Sequence, residues 1–162
     1  MAGIIPKETR ATWKIWAFGL IKVPMILYCK PRVVEISDER LEVKIKLRRR
    51  TRNHMNSMYF GVLTVGADVT CGFLTLRFIE KSKRNISLLF KDSHADFLKR
   101  AEGDVHFHCV KGKEIESLVQ KAIDSGERQN FQVPITATVP SISNEPVAIF
   151  SLTLSIKDKS KR

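Results

Sequence analysis

The segment SMYFGVLTVGADVTCGFLTL, residues 57–76, decides the fold of this chain. Its length and apolar character predict a long buried helix, in which Gly61, Gly66 and Gly72 provide small surfaces for the close approach of other elements. Asp68 is the one charged side chain in the run. A carboxylate in such surroundings loses hydration that apolar neighbours do not replace. Asp68 is therefore the first candidate for a chemical role.

The same run is long enough to cross a lipid bilayer. Its interior glycines and threonines, and a carboxylate near its centre, favour a buried helix of a soluble protein instead, because ionised groups are costly in lipid. We therefore expect no transmembrane segment. Residues 1–10 contain no basic stretch leading into a long apolar core, so no signal peptide is predicted.

The overall composition fits one compact domain spanning residues 1–162. Hydrophobic residues make up 43% of the chain, which excludes a disordered protein. The 28 Lys and Arg residues exceed the 17 Asp and Glu residues and leave a net charge of +11. This excess favours an anionic partner, which is nucleic acid, an anionic membrane surface or a phosphate-bearing small molecule. Part of the excess lies in a basic tail at residues 157–162.

The three cysteines are widely spaced and form no Cys-x-x-Cys pair; they are Cys29, Cys71 and Cys109. Their number and spacing are typical of a reducing compartment and not of a disulfide scaffold or a zinc site. We therefore expect a cytoplasmic protein.

The order of the predicted elements indicates an α+β fold. A leading amphipathic helix over residues 8–28 is expected to kink near Pro24 and to end at Pro31. Strands are predicted at residues 33–37, 40–48, 86–91, 95–99, 104–110, 131–139 and 147–156, and residues 113–125 form either a short helix or the start of a long hairpin. The last two strands are separated by a turn at residues 141–146. One long buried helix would then be wrapped by a mostly antiparallel sheet, with the N-terminal helix added outside.

The segment NHMNSMYFG, residues 53–61, is followed by Asp68 seven residues after its glycine. This pattern resembles the active-site segment of the hotdog-fold acyl-CoA thioesterases of the PaaI-like family, closest to an uncharacterised branch that is a domain of unknown function. The resemblance implies a hotdog fold, in which a curved sheet wraps a long helix. It also implies that subunits pair edge to edge as a dimer or a dimer of dimers, with active sites between the helix of one subunit and the loop of the other.

The resemblance assigns two catalytic residues. Asp68 falls at the position of the family's catalytic carboxylate, which acts as nucleophile or general base. Asn53 falls at the position of the asparagine that orients water or the thioester carbonyl.

The same resemblance suggests the groups that bind the oxyanion and the substrate. The family's His-Gly-Gly sequence at the helix start is here Tyr59-Phe60-Gly61, and Asn56 stands where the family has a glycine. The backbone N–H of Phe60 remains available as an oxyanion donor because a helix start leaves its first amides free. The Tyr59 hydroxyl can replace a histidine hydrogen bond but not its proton transfer at neutral pH. The residues expected to line an acyl pocket are Met58, Leu63, Val65, Phe73 and the helix that carries Trp13 and Trp16.

Basic residues before and after the long helix are candidates for binding the phosphates of coenzyme A. They are Arg50 and Arg52, in the basic cluster of residues 48–52, and Lys99 and Arg100. The alternative for this cluster is a solvated loop at the end of a strand. His106 and His108 lie two residues apart on a predicted strand and therefore share a face; they are expected to be partly exposed strand histidines, and no metal site is predicted.

The function predicted from these residues is hydrolysis of a fatty or aryl acyl-CoA thioester by Asp68 and Asn53, with no cofactor besides the coenzyme A of the substrate. The alternative is a catalytically silent hotdog protein that binds an acyl or coenzyme A ligand, or a partner, and it is favoured by Tyr59 in place of the family's histidine. A third reading is a basic nucleic-acid-associated protein. No aromatic-rich recognition motif accompanies the charge, so we expect no specific nucleic-acid binding.

Overall fold

The computed structural model describes residues 5–160 of the chain. Its helices are α1 (Lys7–Ile21), α2 (Pro24–Cys29), α3 (Phe60–Ser82) and α4 (Gly112–Ser125). Its strands are β1 (Arg32–Ile36), β2 (Leu41–Ile45), β3 (Ile86–Phe97), β4 (Val105–Cys109), β5 (Gln129–Val139) and β6 (Ser143–Asp158).

The six strands form one antiparallel sheet in the order β1-β2-β4-β5-β6-β3. Helix α3 packs across one face of this sheet and contacts β2, β4, β5, β6 and β3. The contact is close because Gly66 faces the fully buried ring of Phe107: a Cβ at Gly66 would lie 2.2 Å from that ring. The α+β architecture predicted from the sequence is confirmed, with the long helix as the core of the sheet.

The leading helix is divided as its prolines predict. Helix α1 ends at Ile21, and α2 begins at Pro24, which occupies the first helical position where no backbone donor is required. Helix α2 ends at Cys29, and Lys30 adopts a left-handed conformation with φ of 50° before Pro31. The break between α1 and α2 allows α2 to turn back towards α3.

The predicted order is corrected at β3, and the alternative left open at residues 113–125 is resolved in favour of a helix. Residues 86–97 form one long strand with an irregularity between Phe90 and Asp92, because a bulge keeps the pairing with β6 continuous. Residues 112–125 form helix α4, whose amphipathic pattern buries Ile115, Leu118 and Val119.

The predicted C-terminal tail is also shorter. Strand β6 continues to Asp158, which pairs with Ile86, and the Lys159 N–H donates to the Asn85 carbonyl at 2.8 Å. Likewise, the predicted turn at residues 141–146 is partly strand, since Ser143 already pairs with Val139. Residues 161–162 lie outside the described residues.

Helix α3 is long and apolar enough to cross a membrane by composition, and 67% of its most apolar window is buried inside the fold. It is therefore accounted for as a core helix.

The opposite face of the sheet is polar: His106 and His108 both lie beside Glu42, with 2.6 Å between His106 Nδ1 and Glu42 Oε1. Within residues 5–160, no group of three His, Cys, Asp or Glu side chains is placed to hold a metal ion.

Candidate active site

Asp68 lies in an apolar cavity of about 250 Å³ between α3, the α1–α2 pair and the edge strand β3. We call this cavity the apolar slot. Its other lining residues are Ile15, Phe18, Val23, Ile26, Val69, Gly72, Phe73, Leu76, Leu88, Leu89 and Phe90. Asp68 is thus the one charged group on its wall. Beside it, a Cβ at Gly72 would lie 3.8 Å from Asp68 Oδ1 and 3.7 Å from the Phe90 ring, so the glycine leaves space next to the carboxyl group.

The Asp68 carboxyl group makes no hydrogen bond or ion pair with any of residues 5–160. Burial raises its pKa above the usual 3.8, because the apolar surroundings penalise the charged form. A carboxylate of this kind is a stronger base than an exposed one and retains all of its acceptor capacity. It is therefore suited to accept a proton from a water molecule or to attack an electrophilic carbonyl.

Asn53 lies elsewhere, at the start of the loop that leads into α3. Its Oδ1 accepts hydrogen bonds from the backbone N–H groups of Met55, at 2.9 Å, and of Ser57, at 3.2 Å. Its Nδ2 donates to the hydroxyl of Ser57 at 3.1 Å. The amide group therefore organises the loop and uses one of its two N–H bonds in doing so. Ser57, which is buried, completes this loop and does not cap the helix.

Asn56 occupies the tip of the same loop with a left-handed φ of 60°. Glycine and asparagine are the residues that adopt this conformation at low cost. The requirement for such a residue explains why an asparagine can stand where the related family has a glycine.

Helix α3 begins at Phe60, which lines an open groove together with Tyr59. Val62 and Leu63 N–H both donate to the Tyr59 carbonyl, whereas the Phe60 and Gly61 amides have no acceptor within residues 5–160. The Tyr59 ring covers Gly61, where a Cβ would lie 2.6 Å from it, and packs on Phe60 with 4.8 Å between ring centroids. Tyr59, Phe60 and Gly61 lie together at the start of α3, where the sequence predicts the helix to begin.

We call the cavity at the helix start the loop groove. It has a volume of about 580 Å³ and is lined by residues of the loop, of the helix start and of the connection after β3. Its lining includes Asn53, Tyr59, Phe60, Lys99 and Arg100, together with Met58 and Leu63.

The apolar slot and the loop groove are separate within one chain. Asp68 follows Phe60 by eight residues of α3, which corresponds to about 12 Å along the helix axis. Asn53 and Asp68 therefore line two different cavities in a single copy of the chain.

The four basic residues predicted to bind phosphate are divided between three places. Arg50 lines a small basic pocket of about 90 Å³ beside α2, Arg52 is exposed, and Lys99 and Arg100 line the loop groove. Lys99 is paired with Glu145, and Arg100 lies 3.7 Å from Glu102. Their positive charges are thus partly neutralised, whereas Arg50 makes no ion pair with any of residues 5–160.

The sequence identified part of the walls of the apolar slot, because the leading helix of residues 8–28, which was expected to line an acyl pocket, contributes Ile15, Phe18, Val23 and Ile26. Of the residues predicted to line an acyl pocket, Phe73 lies in the slot, while Met58 and Leu63 lie in the loop groove. Trp13 is exposed and Trp16 lines the basic pocket. The slot is lined by Phe18 and Val23 near the α1–α2 break and by β3, and Pro24 is the sequence signal that locates this break.

A long helix across the face of a six-stranded antiparallel sheet is the hotdog fold. A protein of unknown function from Chlorobaculum tepidum has the same fold, with a TM-score of 0.80, 11% identity and coverage of 94% of this chain and 97% of the other. A protein of unknown function from Pseudomonas aeruginosa, described as a probable thioesterase, gives 0.74 at 19% identity, with coverage of 96% and 99%. A thioesterase from Haemophilus influenzae gives 0.62 at 15% identity and covers 88% of each chain.

The chain belongs to the family described as a domain of unknown function, DUF4442, whose model matches residues 11–156. No curated protein matches the chain. The uncharacterised branch expected from residues 53–61 is confirmed by this family, and the hotdog fold is confirmed by the solved structures.

Proposed function

We propose that this protein is a thioesterase that hydrolyses a fatty or aryl acyl-CoA, with Asp68 as the nucleophile or general base. The single observation that carries the proposal is the unpartnered Asp68 carboxyl group on the wall of an apolar slot. An acyl group requires an apolar cavity, and its thioester carbonyl requires a base or nucleophile at the end of that cavity. Hotdog proteins named as thioesterases, such as that of Haemophilus influenzae, give the proposal further support.

The reaction follows from these groups. Asp68 accepts a proton from water, the water oxygen forms a bond to the thioester carbon, and the carbonyl oxygen becomes an oxyanion. Collapse of this intermediate breaks the carbon–sulfur bond, and the leaving thiolate takes up the proton to give free coenzyme A and a carboxylic acid. If Asp68 itself attacks, an anhydride forms first and water then hydrolyses it. Backbone amides directed at the developing oxyanion stabilise either route.

The oxyanion donors are proposed to come from a second copy of the chain. The Phe60 amide lies about 12 Å along the helix from Asp68, which is too far for one carbonyl group to contact both. Two copies related by a twofold axis can place the helix start and Asn53 of one copy opposite Asp68 of the other. The active unit is accordingly a homodimer, or a dimer of such dimers.

The edge strand β3 is the proposed dimer contact. It is twelve residues long and pairs with β6 on one side only, and long edge strands present unpaired backbone groups that a second strand can satisfy. Leu88, Leu89 and Phe90 of this strand line the apolar slot. Pairing there would bring the second copy directly to Asp68.

The volume of the apolar slot suits the acyl part of the substrate alone. At about 250 Å³ it lies just below the range of roughly 300–1,000 Å³ of pockets that enclose whole drug-sized ligands. We therefore propose that the coenzyme A part remains outside the slot and that the phosphates contact basic residues, with Arg50, Arg52, Lys99 and Arg100 as the candidates. No further cofactor is proposed. The three buried free cysteines fit a cytoplasmic location.

The test is turnover of acyl-CoA substrates of graded chain length, together with benzoyl-CoA, by the wild-type protein and by the D68N and N53A variants. We expect D68N to lower kcat by roughly 10²- to 10⁴-fold, because it removes the base and keeps the size of the side chain. We expect N53A to lower kcat by roughly 10²-fold through loss of an orienting donor. The exposed Asp124 of α4 supplies the control, D124N, which leaves turnover unchanged. Equal turnover by D68N and the wild-type protein would overturn the proposal.

A catalytically silent binding protein is the second candidate, and Tyr59 in place of the family's histidine favours it. This candidate predicts that the wild-type protein hydrolyses no acyl-CoA of any length. It also predicts that isothermal titration detects binding of a non-hydrolysable acyl-CoA thioether. Binding without turnover would assign Asp68 to ligand recognition or to the fold.

A further inference from the structure

The basic pocket beside α2 combines five positively charged side chains with no negative one. They are Lys30, Arg32, Lys46, Arg48 and Arg50. None of the five makes an ion pair within residues 5–160. Like charges gathered at one small cavity repel one another, so their grouping calls for an anion that offsets the repulsion.

A second basic region of the same protein provides a contrast. Around Asp38, the side chains of Arg77 and Lys81 are also close together, but both reach its Oδ1, at 3.0 and 2.7 Å. There one carboxylate of the protein offsets part of the two positive charges. In the basic pocket the neutralising charge must come from outside the described residues.

The buried part of Arg50 points to the same conclusion. Its Nε is shielded from solvent and has no hydrogen-bond partner in the described part of the chain. Nearly all buried polar groups are hydrogen-bonded, because an unsatisfied donor loses its interaction with water. The Arg50 guanidinium is held 6.0 Å from the centre of the Tyr28 ring, and that of Arg32 is held 5.9 Å from Trp16. The guanidinium groups of Arg32 and Arg50 are therefore held in position before any ligand binds.

Lys30 occupies its place at a conformational cost. Its φ of 50° lies in the left-handed region, which glycine or asparagine adopts more easily. A lysine at the C-terminal cap of α2 brings an ammonium group to the pocket that a glycine would not supply.

From these observations we propose that the basic pocket binds a phosphate monoester group as its dianion. Its small volume of about 90 Å³ suits one phosphate group better than a whole nucleoside. Guanidinium groups bind phosphate oxygens in pairs, and lysines add charge, which is the composition of this pocket.

Two sources can supply this group, inorganic phosphate and the 3′-phosphate of coenzyme A. The second source rests on the proposed function. Binding of the 3′-phosphate in the basic pocket is geometrically consistent with that function. The carbonyl of Thr51, the residue after Arg50, accepts a hydrogen bond from the Tyr59 N–H at 2.9 Å and so joins the pocket to the helix start.

The test is isothermal titration with coenzyme A, 3′-dephospho-coenzyme A and inorganic phosphate. The wild-type protein is expected to bind coenzyme A at least about tenfold more tightly than the dephospho form, since the two differ by the one phosphate group. In R50Q this preference disappears and the affinity for the dephospho form is unchanged. R49Q removes an equal charge from the same loop outside the pocket, and it retains the preference.

A second variant, K30G, replaces the left-handed lysine with the residue that suits its backbone, so the fold is retained while the preference weakens. If inorganic phosphate binds in an Arg50-dependent manner and coenzyme A shows no preference, the pocket is a site for free phosphate, and the thioesterase proposal is untouched. If R50Q and R49Q weaken binding equally, or if no phosphate compound depends on Arg50, the proposed site is overturned. Turnover by the Asp68 variants tests the thioesterase proposal independently of these results.

Discussion

The apolar slot and the loop groove lie on the same helix but differ in how their polar groups are used. In the slot, Asp68 has no partner within residues 5–160, and its surroundings raise its pKa. In the groove, the Asn53 amide is largely engaged in holding the loop, through Met55 and Ser57. One region has a reactive group without orienting donors, and the other has donors without a reactive group.

Under the proposed function, neither region is therefore an active site alone. The Asp68 carboxyl group and the free amides at the start of α3 are separated by about 12 Å, more than two turns of a rigid helix, so no side-chain rotation brings them together. A second copy of the chain would bring them together without unfolding α3.

The largest effect is expected when two inactive variants are mixed. D68N lacks the carboxylate and N53A lacks the orienting amide, so each homodimer is inactive at both sites. In a mixed dimer, one site combines Asn53 of the first chain with Asp68 of the second and is intact. Unfolding and refolding an equal mixture should therefore restore about a quarter of wild-type turnover. The measurement is kcat of the refolded mixture against each variant refolded separately.

The same preparations supply the matched control for this mixing. D68N that is unfolded and refolded alone at the same total concentration has no intact site and should remain inactive. Light scattering of the wild-type protein should give a mass of at least twice the 18.5 kDa of one chain. Recovery that does not exceed the sum of the separate activities would place both residues in one subunit's site or outside any site.

A smaller effect is expected from two glycines of α3. G66A places a Cβ 2.2 Å from the buried Phe107 ring and should destabilise the fold by about 1–3 kcal/mol through overpacking. G72A makes only ordinary contacts, near Phe90 and Asp68, and should stabilise the helix by up to about 1 kcal/mol. Because it narrows the apolar slot, G72A should also lower kcat/KM for the longest accepted acyl chain by about tenfold.

Urea unfolding and the chain-length profile of turnover measure these two outcomes. G66A and G72A each add one methyl group to the same helix. Comparing them therefore separates the effect of packing against the sheet from the effect of the shape of the slot. A G72A protein with an unchanged profile would mean that the acyl chain does not bind beside Asp68.

Much of this arrangement follows from local sequence patterns. The apolar run predicts α3 because its length and composition suit a core helix, and Pro24 predicts the break between α1 and α2. The spacing of Asn53 and Asp68 leads to the fold and to the family. These features depend on residues that are close together in the chain.

The rest depends on contacts between distant segments. The apolar slot is formed by α1, α2, α3 and β3, and nothing local to Leu88 indicates that β3 meets the leading helix there. The basic pocket likewise joins Lys30 and Arg32 to Lys46 and Arg50, so the cluster at residues 48–52 predicts the charge but not the cavity. The sequence does not decide between a helix and a hairpin at residues 113–125, because a charged amphipathic stretch suits both.

The smallest effect concerns the pH dependence of stability, for which two aspartates are expected to behave in opposite ways. Burial raises the pKa of Asp68 in the folded state, so its contribution to stability is complete below the usual value of 3.8 and is lost as the pH rises through the folded-state pKa. D68N should therefore gain stability relative to the wild-type protein between pH 3.5 and 7. A hydrogen bond from Lys81 lowers the pKa of Asp38, whose contribution is present above 3.8 and is lost as the pH falls. D38N should lose stability relative to the wild-type protein over the same rise in pH, by a small amount because Asp38 is exposed and screened. Urea unfolding of the three proteins at several pH values measures both differences, and differences of the same sign would contradict the assignment of Asp68 as the destabilised carboxylate.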